Sequence, residues 1–133
     1  MLGRFIDFSQ KHDKGALLNI FEGFPFDAKR VYTIRGIRTH DVRGSHAHHH
    51  TSTVLVALFG SCTVTLDDGE RGVETIELSQ PTKGILIYPY VWHTMQNFAD
   101  DTTLLAITDT VYDEKDYIRD YSEFLSLLPV EVN

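Results

Sequence analysis

Cysteine is almost missing from this chain: Cys62 is the only one in 133 residues. An internal disulfide is therefore excluded, which suits a reducing compartment, and a cytoplasmic location is the expectation. Long hydrophobic runs are missing too. No apolar stretch approaches the roughly 18–20 residues that a membrane-spanning helix needs, and the opening residues, MLGRFIDFSQKHDKG, carry no signal-peptide apolar segment. Basic charge is scarce, with 12 Lys and Arg against 19 Asp and Glu and a formal net charge of −7. That balance argues against nucleic acid as a general partner. Internal repeats, low-complexity tracts and linkers are lacking as well, so residues 1–133 read as a single domain, long enough to bury a core without staples.

The few basic residues are not spread evenly. Residues 29–43, KRVYTIRGIRTHDVR, hold Lys29, Arg30, Arg35, Arg38 and Arg43 against one acid, Asp41. A basic island in an acidic protein suits a small anion such as a phosphorylated or nucleotide-linked ligand. A solvated edge strand carrying charges that block aggregation would look the same, and composition leaves both readings open.

Short extended segments dominate. RFIDF (4–8), GALLNIFE (15–22), RVYTIRG (30–36), VLVALFG (54–60), CTVTLDD (62–68), ETIELS (74–79), GILIYP (84–89) and TTLLAITDTVY (102–112) are rich in Val, Ile, Thr and Tyr. Asp68-Gly69 is a hairpin signal. Many strands at near-even spacing, with no helical period between them, predict an all-β sandwich or closed barrel. The period changes only in DEKDYIRDYSEFLSLL, where Tyr117, Ile118, Tyr121, Phe124, Leu125 and Leu128 recur at steps of three and four. This spacing predicts a short amphipathic helix, with Asp113 as its N-cap and Asp116 three residues on.

Residues 43–50 read RGSHAHHH, holding four of the seven histidines. The stretch looks like an expression tag but lies well inside the chain and runs into TSTVLVALFG. Side chains alternate along a strand, so His46, His48 and His50 would share one face and His49 the other. If the first face points into a barrel, three imidazoles meet in one cavity. Downstream, GILIYPYVWHTMQN carries Gly84, Pro89, His93 and Asn97, with His93 placed where a neighbouring strand would bring it to the same cavity. His12, His40 and His49 read as ordinary core or surface residues, and Trp92 as core.

The two segments resemble the two motifs of the cupin superfamily, His-x-His and Gly…Pro…His-x-x-x-Asn. That likeness implies a small jelly-roll β-barrel with its site inside. Most cupins bind a metal through an added Glu soon after His-x-His, but Thr51, Ser52, Thr53 and Val54 follow His50 here. Three neutral imidazoles alone could still hold zinc or iron.

The resemblance narrows further. Arg-Gly-Ser-His-Ala-His, Gly-Ser-Cys-Thr-Val-Thr-Leu-Asp-Asp-Gly, Val-Trp-His and Tyr-Asp-Glu-Lys-Asp-Tyr-Ile-Arg stand in this order. Over roughly residues 4–125 the chain resembles the dTDP-4-keto-6-deoxyglucose 3,4-ketoisomerases, the WxcM-like sugar isomerases among the cupins. Metal-free work is what that family implies, with no cofactor. Where the family often has Asp-x-Arg-Gly, this chain has His12-Asp13-Lys14-Gly15, which keeps the charge but loses the planar fork. Ser45 and the His49-His50 pair also depart from the pattern.

The implied reaction moves a carbonyl from C4 to C3 of a hexose joined to dTDP. It needs a base for the C3 proton, an acid or shuttle, and donors at the developing oxyanion. Histidine titrates near neutrality and can serve as either partner. On the resemblance, His48 is the base and His46 its proton-moving partner. Tyr32 and His93 are candidates for the sugar oxygens, Arg30 and Arg43 for the diphosphate, and Lys14 for a further substrate contact, with Arg35 and Arg38 facing solvent. The stretch around Lys14-Gly15 leans to the galacto product. The family also implies a homodimer, with MLGRFIDF as a strand open to exchange between subunits, and a role in making 3-acetamido-3,6-dideoxyhexoses for surface glycans. An epimerase of the related deoxysugar cupins, or a non-catalytic or metal-binding cupin, would use the same scaffold.

Overall fold

A computed structural model of the chain describes residues 2–70 and 72–129. In chain order the first strands are β1 Gly3–Asp7, β2 Ser9–Asp13, β3 Ala16–Ile20, β4 Arg30–Ile34, β5 Arg43–His48 and β6 Thr53–Phe59. There follow β7 Cys62–Asp67, β8 Val73–Leu78, β9 Lys83–Ile87, β10 Trp92–Gln96, β11 Thr103–Thr108 and the two-residue β12 Tyr117–Ile118. A 3₁₀ turn, Glu114–Asp116, precedes β12, and the helix α1, Tyr121–Ser126, closes the described part. No helix among the described residues is long and apolar enough to cross a membrane.

Two five-stranded antiparallel sheets face each other. One runs β1-β9-β6-β11-β4 and the other β12-β5-β10-β7-β8. The apolar positions dictate this stacking. Leu55, Ala57, Ile85, Ile87, Leu104 and Ala106 of the first sheet meet Cys62, Val64, Leu66, Ile76, Leu78 and Met95 of the second in one buried cluster. Each sheet also has a covered outer face. Val54, Val56, Leu86, Leu105 and Ile107 alternate outward, under Phe8, Phe21, Phe24 and Phe26. Ala47 and Ile118 lie on the outside of the second sheet, beneath Phe124 of α1 and beside Trp92 and Leu128. The two sheets with apolar side chains buried between them are the all-β jelly roll that the sequence leads one to expect.

Three local expectations need correction. SQKHD pairs with β3 as a strand in its own right, its register fixed by Lys14 and Gly15, both at positive φ (50° and 83°) in a two-residue turn. Asp68-Gly69 does lie between paired strands, but the connection spans residues 68–72. Gly69, at φ 79°, sits where an added Cβ would strike Leu128. The predicted C-terminal helix is shorter than its periodicity suggests. Asp113 caps the 3₁₀ turn, Tyr117 and Ile118 pair with β5, and the helix starts only after Asp120, whose side chain accepts from the Glu123 N–H. Cross-strand pairing at the sheet edge has overridden a helical pattern that was real but local.

Candidate active site

The His strand is shaped by a bulge. β10 pairs with β5 so that His93 faces His46 and Thr94 faces Gly44, leaving Ser45 as the extra residue. Gly44 and Ser45 both hold positive φ, 79° and 58°, and an added Cβ on Gly44 would come within 3.0 Å of the His93 carbonyl oxygen. Glycine is thus required there, and the bulge turns the following residues so that His46 and His48 point between the sheets. On the other side of β5, Tyr117 pairs with His48 and Ile118 with Ala47. Tyr117 therefore shares the inner face with the histidines, while Ala47 and Ile118 face α1.

The result is a compact cluster of rings. His46 and His93 lie 4.6 Å apart between centroids, His46 and His48 5.0 Å, and His48 and His93 6.1 Å. Tyr117 stands 4.4 Å from His48 and 5.1 Å from His46. The expected trio of His46, His48 and His50 is therefore wrong in one member. β5 ends at His48, so alternation no longer applies, and the exposed His50 uses its backbone N–H to reach Asp116 instead. The third imidazole is His93, delivered by β10. His49 bonds the Tyr90 hydroxyl, and Trp92, next to His93 but on the opposite face, packs against Tyr121 and Phe124.

These rings close one end of a cavity of about 700 Å³, within the range of small-molecule sites. Its walls include Tyr32, Ile34, Thr53, Leu55 and Met95, and four guanidinium groups: Arg30, Arg35, Arg43 and Arg119. Arg35, expected to face solvent only, is exposed yet lines this cavity, whereas Arg38 is exposed and pairs with Asp41 at 3.2 Å. Of the residues singled out in the sequence, the fold brings together Arg30, Tyr32, Arg43, His46, His48 and His93. Lys14 is not among them; it sits exposed at the tip of the β2–β3 hairpin.

Sequence reasoning missed Tyr117, Arg119 and Asp116. Arg119 places its guanidinium 4.3 Å from the Tyr117 ring and grips Glu114 through two bonds of 2.7 and 3.0 Å, while Arg30 lies over Tyr32 at 4.3 Å. The signal was present in YDEKDYIR, but its helical spacing hid the fact that these side chains turn toward the His strand.

Burial sets the charge of the cluster. Desolvation, then the neighbouring His93 and His48, pushes His46 down to about 3, and desolvation pushes His93 down to about 4. His48 is also lowered by burial, although Asp116, bonded to its Nδ1 at 3.0 Å, pulls the other way. All three are neutral at pH 7. Burial raises the Tyr32 phenol, so it remains a hydrogen-bond donor.

One nitrogen from each of the three histidines falls within a 4.8 Å span, the spacing a metal could take. The surroundings do not suit a resident cation. Among the described residues no carboxylate lines the cavity, and four guanidiniums do, so a divalent ion would meet like charge. An anion meets the reverse. Three neutral imidazoles at the floor of a cavity ringed by guanidiniums suit acid–base chemistry on an anionic ligand.

Comparison with known proteins agrees with this geometry. The family model described as FdtA, WxcM-like, C-terminal, matches residues 2–128. The chain belongs to the WxcM-like family. A relative from Aneurinibacillus thermoaerophilus, TDP-4-oxo-6-deoxy-alpha-D-glucose-3,4-oxoisomerase, is 41% identical over 127 residues, covering 93% of this chain and 91% of its own. Among solved structures, a 3,4-ketoisomerase from Helicobacter canadensis superposes with a TM-score of 0.89 at 36% identity, over 96% of this chain and 97% of that one. The sugar 3,4-ketoisomerase QdtA from Thermoanaerobacterium thermosaccharolyticum, solved in complex with TDP, has a TM-score of 0.88 at 36% identity, covering 94% and 93%.

Proposed function

We propose that this chain is a TDP-sugar 3,4-ketoisomerase that converts TDP-4-keto-6-deoxyglucose to its 3-keto isomer. The observation that carries the reading is the meeting of three neutral imidazoles with four arginines around one cavity that no carboxylate of the described residues lines. The arginines take the diphosphate, with Arg30 and Arg43 as principal contacts, since guanidinium binds phosphate oxygens through paired hydrogen bonds.

The sugar then lies against the histidines. His48 removes the proton from C3, acidified by the C4 carbonyl, and the electron pair forms the C3–C4 double bond of an enediolate with its negative charge on O4. Tyr32 and His93 hydrogen-bond the sugar oxygens and lower the cost of that charge. His46, kept neutral, can take the proton from O3 and return it to O4 through the one nitrogen open to the cavity, since its Nδ1 is buried. Collapse of O3 to a carbonyl, with the proton held by His48 delivered to C4, completes the isomerisation and frees the base. The electrons stay within the sugar throughout.

The reading extends to the galacto configuration at C4, toward which the sequence around Lys14-Gly15 leans. It extends as well to a role supplying a 3-keto sugar for amination in the making of surface-glycan 3-acetamido-3,6-dideoxyhexoses. Proton NMR of TDP-4-keto-6-deoxyglucose incubated with the protein in EDTA tests substrate, metal independence and configuration together. The expected product is a 3-keto sugar with a small H4–H5 coupling, because the two hydrogens are not both axial in the galacto form. A large coupling means the gluco product. Unchanged substrate in EDTA, restored by added metal, would sink the metal-free mechanism.

We also infer a homodimer. Its contact is the β2–β3 hairpin, which is exposed along almost its whole length and carries Leu17 and Leu18 half in solvent, at 50% and 41%. β1 itself is satisfied within the chain, paired with β9 and with the following Phe8 buried, so the hairpin rather than MLGRFIDF is the element left without a partner surface. Sedimentation is expected to give a dimer that Leu17→Lys weakens; a monomer at micromolar concentration would refute it.

A further inference from the structure

Behind His48, on the side away from the sugar cavity, lies a carboxylate that the reaction as written does not use. Asp116 closes the 3₁₀ turn and is buried, with 8% of its surface exposed. Its Oδ2 accepts from His48 Nδ1 at 3.0 Å and from the Thr51 hydroxyl, and its Oδ1 accepts from the His50 backbone N–H at 2.7 Å. The Thr51 hydrogen is committed to Asp116, so the 2.6 Å contact between Thr51 and Thr110 is a bond that Thr110 donates. Every neighbour in this chain of bonds points its hydrogen toward the carboxylate. Among the described residues the salt-bridge partner of Asp116 is His48, with no lysine or arginine. Burial works to raise the Asp116 pKa, but the bonds from Thr51, His50 and His48 outweigh it and the group is held ionised.

We propose that Asp116 is a positioning residue for the isomerisation, fixing His48 in the tautomer that carries its hydrogen on Nδ1 and leaves the Nε2 lone pair toward the sugar cavity. This inference rests on the reading of His48 as the base. An ionised carboxylate can only accept, so Nδ1 must donate, and in a neutral imidazole the other nitrogen is then bare. When His48 takes a proton from carbon, the imidazolium forms beside a fixed anion at no reorganisation cost. His46, His93, Tyr117, Arg30 and Arg119 surround the same ring, from its own strand, β10, β12, β4 and the segment after β12. None of them offers a second acceptor to Nδ1.

The substitution Asp116→Asn makes a sharp prediction. The His50 N–H cannot rotate and needs an oxygen at the Oδ1 position. The amide nitrogen of the new side chain must then occupy the Oδ2 position, where it would donate to His48 Nδ1. The Thr51 hydroxyl can turn to accept, but the imidazole has to flip its tautomer and present an N–H to the substrate. A histidine so protonated is no base.

The test is nitrogen-15 NMR of the full-length protein labelled at histidine, with His48 assigned by its loss in His48→Asn, and with steady-state turnover measured alongside. In the unmodified protein Nδ1 of His48 is expected to be protonated and Nε2 bare. Asp116→Asn is expected to reverse that pattern and lower kcat by about 10²–10⁴-fold, with KM little changed, because Asp116 does not line the sugar cavity. Thr51→Val, which removes one donor and keeps the carboxylate, is expected to keep the Nδ1–H tautomer and much of the activity. A bare Nδ1 in the unmodified protein overturns the proposal without any variant, as does normal kcat in folded Asp116→Asn. If His48→Asn is inactive while Asp116→Asn is normal, positioning fails alone; if His48→Asn turns over normally, the base assignment fails with it.

Discussion

Replacing His48 by asparagine is expected to lower kcat by about 10²–10⁴-fold, the range that a general base contributes, while the affinity for TDP stays as it was. Asparagine is the discriminating choice here. Its amide nitrogen can stand where Nδ1 stands and still donate to Asp116, 3.0 Å from that atom in the unmodified chain. What the substitution removes is Nε2, the one atom that would take the C3 proton. The cavity arginines, which lie on β4, just after it, at the start of β5 and beyond β12, are untouched, so the nucleotide has the same anchors. NMR turnover and calorimetric titration with TDP check the two halves separately. Near-normal turnover would remove His48 from the reaction, and loss of TDP binding would show that the substitution had damaged the pocket as a whole.

The second large effect concerns stability. Phe124→Ala is expected to cost about 3–5 kcal/mol, as truncating a fully buried phenylalanine does when the site cannot collapse. Phe124 has no exposed surface and packs with Ala47, Ile118, Trp92 and Leu128 on the outside of the second sheet. The six-residue helix that carries it is too short to be stable alone, so that single ring supplies much of the reason for the helix to dock. Ala47 lies between His46 and His48 in sequence, its methyl turned outward against Phe124 while their rings turn inward. The helix therefore braces the strand that holds the site. Urea denaturation measures the loss, and a change below about 1 kcal/mol, the ordinary scale of a surface substitution, would show that α1 is not a structural brace.

The histidine pair and the carboxylate behind it illustrate two kinds of legibility. His46 and His48 could be read from the sequence because they sit two residues apart on one strand, and a strand repeats its faces every second residue. His50 could not be excluded the same way, since nothing in HAHHHTS says that the strand stops at His48. Arg35 and Arg38 look alike in the sequence and part company only because the chain after β4 leads one to the cavity mouth and the other to Asp41. Tyr117, Arg119 and Asp116 lay within a stretch with helical spacing, and that local signal was outweighed by pairing with β5, a contact 68 residues distant for His48 and Asp116.

By itself the sequence determined the all-β architecture and the placing of His46 and His48 on one face of a strand, because alternation is a property of short stretches. Only the tertiary structure decided that His50 drops out of the imidazole cluster, that a buried Asp116 stands behind His48, and that Lys14 lies outside the chain's own cavity. Each of those depends on which strands become neighbours, and that is settled by long-range burial of apolar faces rather than by any run of residues read in order.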